Sequence, residues 1–328
     1  MKTLITGITG RIGAHLARAL VAAGHDVRGL VWPQDRAVER LAGLPIELVE
    51  GSLVNADDVQ RAVAGMEAVC HLGAAFQAGG PFTNDDYFEI NVRGTFLMLE
   101  AAVANAATLR HFFFASSDAL YDKYLPAGIP DPIREDDFPL APGGMYALTK
   151  LLGEDLCRGY LRNQHLPVTI FRFAMTLGGR EILDWSQFYA AHYAKAYAGK
   201  SSPAAQAVYA QLQAALADNP RTLLIARDGN GRPYKKHIAH ADDIVAGFLA
   251  AIGKPQAVGG TFQLAAPTPF TWDEAVPYLA AKLGLPLIDL RLLEATPTFY
   301  EFDLSASRNA LGYAPQYGIR QMIDAALA

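Results

Sequence analysis

The sequence predicts an α/β protein built on a doubly wound parallel sheet, with a smaller C-terminal α+β domain. Three observations support this fold class. Short apolar runs alternate with helical patterns through the first half of the 328 residues, and a glycine-rich turn follows the first run. The second half then changes to Ala-rich and aromatic helical segments. Strands that alternate with helices imply right-handed crossovers and parallel pairing.

The first half divides into six predicted strands with helices between them. The strands are short apolar runs at Leu4–Ile5, Val27–Val31, Ile46–Val49, Ala68–Leu72, His111–Ala115 and Val168–Phe173. The helices are predicted at Arg11–Ala23, Asp35–Ala42, Ala56–Ala64, Asp85–Ala106 and Pro142–Gln164. Gly24 ends the first helix, and proline near the start of the last is tolerated at an early helical position.

The second half predicts eight segments, of which the first two form a helical hairpin over about 182–217. In order, these segments are Ile182–Gly199, Pro203–Ala217, Thr222–Ala226, Lys236–Ala239, Asp242–Ile252, Thr261–Leu264, Trp272–Leu283 and Ile319–Ala326. We expect Asp242–Ile252 to return to the first domain. The predicted nucleotide-binding domain is therefore 1–174 plus about 240–256, and the substrate domain is 175–239 and 257–328.

Composition excludes several classes of protein. Apolar residues make up 51% of the chain, and its net charge of −5 gives no basic footprint for nucleic acid. There is no polybasic membrane patch and no stretch of ~18 apolar residues. The short apolar length of the first residues leads us to expect no secretory leader. Cys70 and Cys157 lie in apolar surroundings, which indicates buried thiols in a reducing cytoplasm. No group of ligand-type residues has metal-site spacing, so no metal is predicted.

Gly7, Gly10 and Gly13 form the turn between the first strand and the first helix. Glycines let the backbone approach a pyrophosphate, and the helix N-terminus supplies N–H groups and a partial positive charge. The alternative is a tight turn without a ligand. The position at the first strand–helix junction favours a dinucleotide site.

The form of the nicotinamide cofactor, NAD or NADP, stays open. An acidic residue at the end of the second strand would bind the ribose hydroxyls of NAD, and none stands at the end of Val27–Val31. Trp32 either covers the adenine or packs against the protein. Arg36 either meets a 2′-phosphate or is solvated.

Tyr146 and Lys150 are one helical turn apart, about 30 residues after Ser117. A tyrosine with a pKa near 10 is a poor base, and an ammonium ~4–6 Å away favours the phenolate. At an effective dielectric constant of ~20, that charge contributes up to ~4 kcal/mol. Ser117 would orient the same substrate oxygen. The alternative is a surface pair on an ordinary helix, which is how we interpret Tyr278 and Lys282 at the same spacing.

Taken together, the motifs resemble the extended short-chain dehydrogenase/reductase family, the group of nucleotide-sugar epimerases and dehydratases. The resemblance covers nearly the whole chain. Its motifs are Thr6–Gly13, His71-Leu72-Gly73-Ala74-Ala75, Asn91-Val92-Arg93-Gly94-Thr95, Phe114-Ala115-Ser116-Ser117, Tyr146 with Lys150, Arg172, and His240-Ala241-Asp242-Asp243.

This resemblance implies a Rossmann-type domain, an NAD(P) cofactor and a homodimer formed through the helices around 85–106 and 142–164. Ser117, Tyr146 and Lys150 are then catalytic, and Lys150 also holds the nicotinamide ribose. The predicted cofactor-binding residues are Gly7, Thr9, Gly10, Arg11, Ile12, Gly13, Trp32, Arg36, Leu53, Leu72, Ala74, Ala75, Asn91, Tyr146 and Lys150. The candidate substrate-binding residues are Phe76, Asp118, Met175, Trp185, Tyr189 and Lys236.

Several positions depart from the family pattern. Ala119 stands where dehydratases carry the glutamate base, so elimination of water is not expected. Epimerases place a small residue at the position of Asp118 and an asparagine at that of Met175 to contact the sugar diphosphate. Glu294 stands near the position where those epimerases carry an arginine that binds the diphosphate, and its carboxylate would repel a diphosphate. Lys236 is the nearby cationic side chain that would take the place of this arginine. Ser52 replaces the aspartate that usually meets the adenine.

These departures favour a dehydrogenase or reductase that acts on a secondary alcohol of a sugar-like or polyol-like molecule, in carbohydrate metabolism. A nucleotide-sugar 4-epimerase is the alternative. A nicotinamide-sensing regulator without catalysis is a third hypothesis, against which the set of Ser117, Tyr146 and Lys150 argues.

Trp185, Tyr189, Tyr193 and Tyr197 recur every four residues and predict one stripe on a helix. The stripe either lines the substrate pocket or stacks on a sugar, or it packs against the second helix of the hairpin or against another subunit. Packing is the favoured interpretation, because apolar stripes at this spacing usually face a core.

Overall fold

The computed structural model describes residues 1–76 and 82–328. Its strands are β1 (Lys2–Thr6), β2 (Asp26–Val31), β3 (Ile46–Glu50), β4 (Ala68–His71), β5 (His111–Ser117), β6 (Val168–Phe173), β7 (Thr176–Leu177), β8 (Leu223–Arg227), β9 (Lys235–Lys236), β10 (Ala239–His240), β11 (Thr261–Leu264), β12 (Phe270–Thr271) and β13 (Leu287–Arg291). Its α-helices are α1 (Arg11–Ala22), α2 (Ala56–Val63), α3 (Asn84–Tyr87), α4 (Gly94–Ala104), α5 (Met145–Gln164), α6 (Ala190–Tyr197), α7 (Pro203–Asp218), α8 (Ala241–Ala251), α9 (Trp272–Leu283), α10 (Ser305–Leu311) and α11 (Ile319–Leu327).

Within the described residues, the central sheet has seven strands in the order β11-β6-β5-β4-β1-β2-β3. Every pairing in it is parallel. All seven residues of β5 are buried, because parallel strands are covered by helices on both faces. The predicted α/β class with a Rossmann-type doubly wound sheet is therefore confirmed.

The strand order reverses between β1 and β4. From β1 the chain continues outward through β2 and β3, and then returns to build β4, β5 and β6 on the other side. In doubly wound sheets, ligands bind in the crevice outside the carboxyl ends of the strands at such a reversal. The edge that carries the ends of β1, β4 and β5 is thus where a functional site is expected.

The smaller unit has its own apolar core. Its members come from the hairpin of α6 and α7, the parallel pair β8–β13, and helices α9 and α11. The sequence reasoning missed β13, whose alternating exposure gives only a weak apolar signal, and also α10.

One strand lies in a different domain from the one predicted for it. Thr261–Leu264, assigned from sequence to the substrate domain, is β11 and pairs with β6 at the edge of the central sheet. Helix α10 packs beside it against the first core. The chain therefore returns to the first unit twice, once through α8 and once through β11 with α10.

Three predicted helices differ from the structure. Asp35–Ala42 is a 3₁₀ helix over Arg36–Leu41. Asp85–Ala106 contains a π-helical segment at Phe88–Arg93 between α3 and α4. Ile182–Gly199 contains two short 3₁₀ segments before α6.

The predicted aromatic stripe is therefore only half correct. Tyr193 and Tyr197 lie on α6, whereas Trp185 and Tyr189 precede it in extended conformations. Trp185 packs within 5.9 Å of Trp272 between ring centroids, in the second core. Tertiary packing has overridden the local helical spacing, and the packing interpretation of these aromatic residues fits the structure.

Both cysteines, Cys70 and Cys157, are buried and unpaired, as expected. Across residues 1–76 and 82–328, no helix combines the length and the apolar character that a membrane crossing needs.

Candidate active site

The carboxyl ends of β1, β4 and β5 meet at one edge of the sheet. Thr6 is in register with His71, and His71 with Phe114. The Thr6 hydroxyl lies 2.8 Å from Nδ1 of His71, and Nε2 of His71 lies 3.1 Å from the Thr95 hydroxyl. Burial, together with the nearby Lys150 charge, lowers the pKa of His71 to about 3, so its ring is neutral. This buried chain of contacts fixes the strand ends relative to one another.

The glycine turn has no room for side chains. Gly7 has a φ of +66°, and a Cβ there would lie 2.9 Å from the Gly73 backbone. A Cβ on Gly13 would lie 2.1 Å from the Gly7 carbonyl oxygen. Helix α1 begins after Gly10 without a side-chain cap, so its first N–H groups remain available. The turn thus has the form that holds a pyrophosphate.

Asp35 is a residue that the sequence reasoning missed. It lies beyond the end of β2, yet its carboxylate accepts a hydrogen bond from the Thr9 hydroxyl at 2.7 Å. It also accepts from the backbone N–H of Ala37 and so caps the 3₁₀ helix. A carboxylate therefore does stand beside the glycine turn, four residues after the strand end. The cap position at the start of a helical turn was the signal available in the sequence.

The other predicted cofactor residues near the turn have varied surroundings. Trp32 is 64% exposed and Arg36 is also exposed, which leaves both side chains accessible. Arg11 donates to the Thr176 carbonyl at 3.0 Å and pairs with Glu181 at 2.5 Å, so it links the turn to the start of the second unit. Ile12 packs against the first core.

Asn91 organises the segment that follows β4. Its Oδ1 accepts from the Ala75 N–H at 2.7 Å, and its Nδ2 donates to the Ala75 carbonyl and to the Thr149 hydroxyl, both at 3.0 Å. Because its amide is occupied by protein atoms, Asn91 positions Ala75 against helix α5. Leu53, Leu72 and Ala74 are partly buried around this segment.

Tyr146 lies in the first turn of α5, and its ring meets Phe76 edge-on with 5.5 Å between centroids. The side chain is partly exposed, yet enough protein surrounds its phenol for burial to raise its pKa to about 12. The Ser117 hydroxyl opposes that rise through a hydrogen-bonding interaction, and the Asp118 carboxylate adds to it. Ser117 thus lies beside the phenol, at the end of β5.

Lys150 is 4% exposed, and its ammonium donates to the Ala115 carbonyl at 2.8 Å. Its Nζ lies 6.0 Å from the centroid of the Tyr146 ring. Burial lowers the pKa of Lys150 to about 8. The expectation that the ammonium makes the phenol acidic is not met by the chain alone, because Lys150 is directed at a backbone carbonyl and burial dominates the pKa of Tyr146.

A buried ion-pair network holds α5 against β5 and β6. Glu154 is fully buried and accepts from the Ser116 hydroxyl at 2.6 Å and from two nitrogens of Arg172 at 2.9 and 2.7 Å. Arg172 also donates to the Tyr121 hydroxyl at 2.8 Å. Charge-assisted bidentate bonds of this kind fix geometry. The network thereby fixes the helix that carries Tyr146 relative to the strand that carries Ser117.

Asp118 and Lys236 lie on the side of the site that faces the second unit. Asp118 is buried and pairs with Lys123 at 2.8 Å. The buried Lys236 ammonium donates to Oε1 of Gln187 at 3.0 Å and lies 5.1 Å from the Trp185 ring. Three of the predicted substrate residues therefore lie near one another, namely Asp118, Trp185 and Lys236.

The remaining candidates have more local roles. Met175 packs against the second core, and Tyr189 donates to the Leu183 carbonyl. Glu294, which the sequence places against a diphosphate, instead accepts from the Ser202 hydroxyl at 2.7 Å at the start of α7. Its carboxylate is thus engaged at a helix N-terminus, which weakens it as an argument against a diphosphate substrate.

Outside the undescribed segment 77–81, no group of three or more potential ligand residues has the arrangement of a metal site.

Comparison with known proteins identifies a similar solved structure and several similar curated proteins. A short-chain dehydrogenase/reductase superfamily protein of Agrobacterium tumefaciens, solved with bound NAD, is 33% identical, with a TM-score of 0.82 over 99% of this chain and 96% of its own. Sterol demethylase protein B of Methylococcus capsulatus is 32% identical over 57% of each chain. A Bacillus subtilis protein described as an uncharacterized UDP-glucose epimerase is 25% identical over 80% of this chain and 76% of its own. The alignments span about half the length of the first curated relatives.

The family model that matches is described as the NAD dependent epimerase/dehydratase family, and the match covers residues 3–265. The match confirms the predicted nicotinamide cofactor and the prediction of an enzyme of the short-chain dehydrogenase/reductase type. Both the glycine turn and the pair Tyr146 and Lys150 lie inside the matched range. The chain therefore belongs to the NAD-dependent epimerase/dehydratase family.

Proposed function

We propose that the protein is an NAD-dependent oxidoreductase that exchanges hydride at a secondary alcohol or ketone carbon of a sugar-like or polyol-like substrate, with Tyr146 as the acid/base. The observation that carries this proposal is the shared edge of the sheet. The Lys150 ammonium lies 5.1 Å from the Phe114 ring and 6.0 Å from the Tyr146 ring. The Phe114 ring neighbours that of His71, which contacts Thr6 at the start of the glycine turn. These contacts support the proposal that the glycine turn and the phenol serve one site.

The residues divide the chemistry between them. The bound nicotinamide supplies the hydride acceptor for the alcohol or the hydride donor for the ketone. Ser117 orients the substrate oxygen, and Tyr146 gives that oxygen a proton in reduction or receives one in oxidation. With a pKa of about 12 the phenol is protonated at pH 7, which suits reduction. Oxidation needs the phenolate, which burial disfavours in the chain alone and which the positive charge of a bound oxidised nicotinamide, added to that of Lys150, would favour.

NAD rather than NADP is the cofactor we propose. The Asp35 carboxylate lies beside the glycine turn, bonded to Thr9. A carboxylate there repels a 2′-phosphate and suits ribose hydroxyls. We expect Asp35→Asn to weaken NAD binding and narrow the preference over NADP, measured by titration of both cofactors. An unchanged preference would count against this assignment.

The substrate side supports a molecule without a nucleoside diphosphate. Asp118 lies next to Ser117 and is paired with Lys123, so a carboxylate occupies the position where the family's epimerases place a small residue. Met175 offers a thioether that packs in the second core and cannot donate a hydrogen bond. One relative is described as sterol demethylase protein B, a name that does not refer to a nucleotide sugar.

A substrate screen tests the proposal. Sugars, polyols and their oxidised forms are offered with NAD and with NADP while the absorbance of the reduced nicotinamide is followed. A dehydrogenase gives net reduction of the cofactor with at least one secondary alcohol. An enzyme that converts a nucleotide sugar with no net change in absorbance would overturn the proposal.

The alternative function is a nucleotide-sugar 4-epimerase, which the Bacillus subtilis relative favours. Calorimetry with UDP and other nucleoside diphosphates separates the two candidates. The dehydrogenase proposal predicts no micromolar binding. Binding of UDP in that range, together with conversion of a UDP-sugar, would establish the epimerase instead.

We also propose a cytoplasmic homodimer formed through α4 and α5. Exposed apolar side chains lie on and beside these helices, among them Phe88, Phe96 and Leu148. Large apolar side chains exposed on two neighbouring helices support an interface there. Light scattering after gel filtration should give twice the 35.3 kDa of one chain, and Phe96→Glu should halve that mass. A monomeric wild-type protein would contradict the proposal.

A further inference from the structure

Two lysines are buried beside the proposed substrate site, and they differ in their partners. Lys123 and Lys236 are 4% and 1% exposed. Lys123 lies 2.8 Å from the Asp118 carboxylate and also donates to the Asp118 carbonyl. Lys236 donates only to the neutral amide of Gln187, at 3.0 Å. Among residues 1–76 and 82–328, no carboxylate oxygen lies within 4.0 Å of the Lys236 ammonium.

Two aromatic rings also lie close to the Lys236 ammonium. Its ammonium lies 5.1 Å from the Trp185 ring and 5.9 Å from the Tyr124 ring. Tyr124 is 47% exposed, so the cluster reaches the surface at that ring. Tyr300 packs edge-on against Tyr124, and its buried hydroxyl has no hydrogen-bond partner among the described residues. The site therefore contains two polar groups that the protein itself does not fully satisfy.

An unpaired ammonium is costly to bury. The loss of hydration is worth several kcal/mol per ion unless an opposite charge compensates it. Cation–π contacts recover only ~0.5–2 kcal/mol. Burial and the charge of Lys123 lower the pKa of Lys236 to about 7, and Asp118 opposes them only in part. Lys236 therefore contributes little to folding stability, which points to a role in binding.

The charges around the site leave an excess of one. Two ammonium groups and the Asp118 carboxylate give a single positive charge, and the neighbouring His192 has a pKa lowered by burial and by the Lys236 charge. A monoanion neutralises this excess. A diphosphate brings at least two negative charges and would meet Asp118 as well.

The cluster shares the electrostatic surroundings of the proton-transfer group. Asp118 follows Ser117 directly and lies 2.8 Å from the Lys123 ammonium. The ammonium groups of Lys123 and Lys236 lie 5.7 and 5.9 Å from the centroid of the same Tyr124 ring, so Asp118 stands between the proton-transfer group and Lys236. A small substrate whose reacting oxygen meets Ser117 and Tyr146 thus extends toward Lys236. The link between the two groups through Asp118 indicates that they serve one ligand.

We propose that Lys236 binds a carboxylate of the substrate, so that the substrate class is a hydroxy acid of the sugar or polyol type. This inference rests on the proposed function and makes its substrate class more specific. Gln187 positions the ammonium, and the Tyr300 hydroxyl is available to donate a second hydrogen bond to the same anion.

Calorimetry on the NADH-saturated protein tests the proposal without turnover, because the reduced cofactor cannot accept hydride from the alcohol groups of the probes. The probes are gluconate against sorbitol and glucuronate against glucose. We expect the acid of at least one pair to bind ten or more times as tightly as its neutral counterpart, on the order of one salt-bridged contact. The advantage should disappear in Lys236→Met and persist in Lys282→Met, which removes a surface lysine as the control.

The wild-type protein supplies a second test that does not depend on the folding of a variant. Below pH 7 Lys236 already holds its proton, whereas at higher pH the acid must bind together with a proton. The ratio of acid to neutral affinity should therefore fall from pH 7 to 9, by up to about tenfold per pH unit. The ratio cancels contributions that both ligands share, including that of Lys150. A flat ratio, or equal binding of acid and neutral probes, overturns the inference.

The two proposals can fail separately. Oxidation of neutral alcohols with no preference for acids would leave the proposed reaction in place and remove the carboxylate site. Binding of the acids that depends on Lys236, without any change in nicotinamide absorbance on any substrate, would retain the site and remove the proposed reaction.

Discussion

Two tyrosine–lysine pairs with the same spacing have opposite surroundings in this molecule. Tyr146 and Lys150 lie on α5 and Tyr278 and Lys282 on α9, each pair four residues apart on one helical face. Lys150 is 4% exposed, whereas the Lys282 side chain is 42% exposed. The same sequence pattern is thus at the edge of a buried sheet in one place and on the surface in the other.

The partners of the two lysines explain the difference. Lys282 lies 2.7 Å from Asp324, which also accepts from the Tyr278 hydroxyl at 2.7 Å. This carboxylate raises the pKa of Lys282 and occupies the phenol. Among residues 1–76 and 82–328, the hydrogen-bond acceptor of Lys150 is the Ala115 carbonyl, and burial lowers the pKa of this lysine. In the surface pair, the Tyr278 hydroxyl is hydrogen-bonded to a carboxylate and is not available for proton transfer. In the buried pair, the Tyr146 phenol lies beside Ser117.

The largest expected effect is on turnover. Tyr146→Phe removes the proposed proton donor and should reduce kcat by about 10²–10⁴-fold, while nicotinamide affinity stays close to that of the wild type. Tyr278→Phe is the matched control and should leave kcat unchanged. Steady-state kinetics on the substrate from the screen, together with cofactor titration, make the comparison. Near-normal turnover in Tyr146→Phe would show that the two pairs do not differ in their contribution to catalysis.

The second effect is on stability and on its dependence on pH. The fall in the pKa of Lys150 from 10.5 to about 8 corresponds to roughly 3 kcal/mol of unfavourable burial. Lys150→Met should therefore unfold at a higher urea concentration than the wild type at pH 7, with low activity. Lys282→Met should be no more stable than the wild type, because it loses a favourable pair.

The sign of the pH dependence follows from the lowered pKa. Between pH 8 and 10.5 the unfolded chain still holds the Lys150 proton that the folded chain has lost, so raising the pH favours folding of the wild type relative to Lys150→Met. The advantage of the variant should shrink by up to about 1.4 kcal/mol per pH unit in that window. Urea unfolding at pH 7 and pH 9.5 measures it, and a constant difference would show that Lys150 does not titrate there.

The smallest effect is expected at Asp324. Asp324→Asn separates both members of the surface pair from their shared carboxylate, and kcat should stay within about twofold of the wild type. Thermal unfolding should shift slightly downward, and the shift should diminish at high salt because exposed ion pairs are screened. A loss of activity like that of Tyr146→Phe would mean that the second pair also takes part in function.

Local sequence was sufficient for the parts of the site that depend on neighbouring residues. Gly7, Gly10 and Gly13 predict the pyrophosphate turn, because the positive φ of Gly7 and the close approach at Gly13 are demands of a single short segment. The alternation of strands and helices predicts a parallel sheet for the same reason, since each element has its own apolar pattern.

Other parts depend on contacts between distant segments and could not be predicted. Asp35 reaches Thr9 because the chain turns back after β2, and Trp185 left its predicted helix to pack against Trp272. The strand β11 joins the central sheet, although its short apolar sequence does not distinguish it from the strands of the smaller unit.

By itself, then, the sequence determined the α/β class and the glycine turn and indicated Ser117, Tyr146 and Lys150 as the candidate reacting groups, because these follow from patterns within a few turns or strands. Only the tertiary structure decided how those groups titrate and which charges stand unpaired. Burial of Lys150 and Lys236 is set by residues far away in the chain, and a pKa responds to everything that surrounds the charge in space.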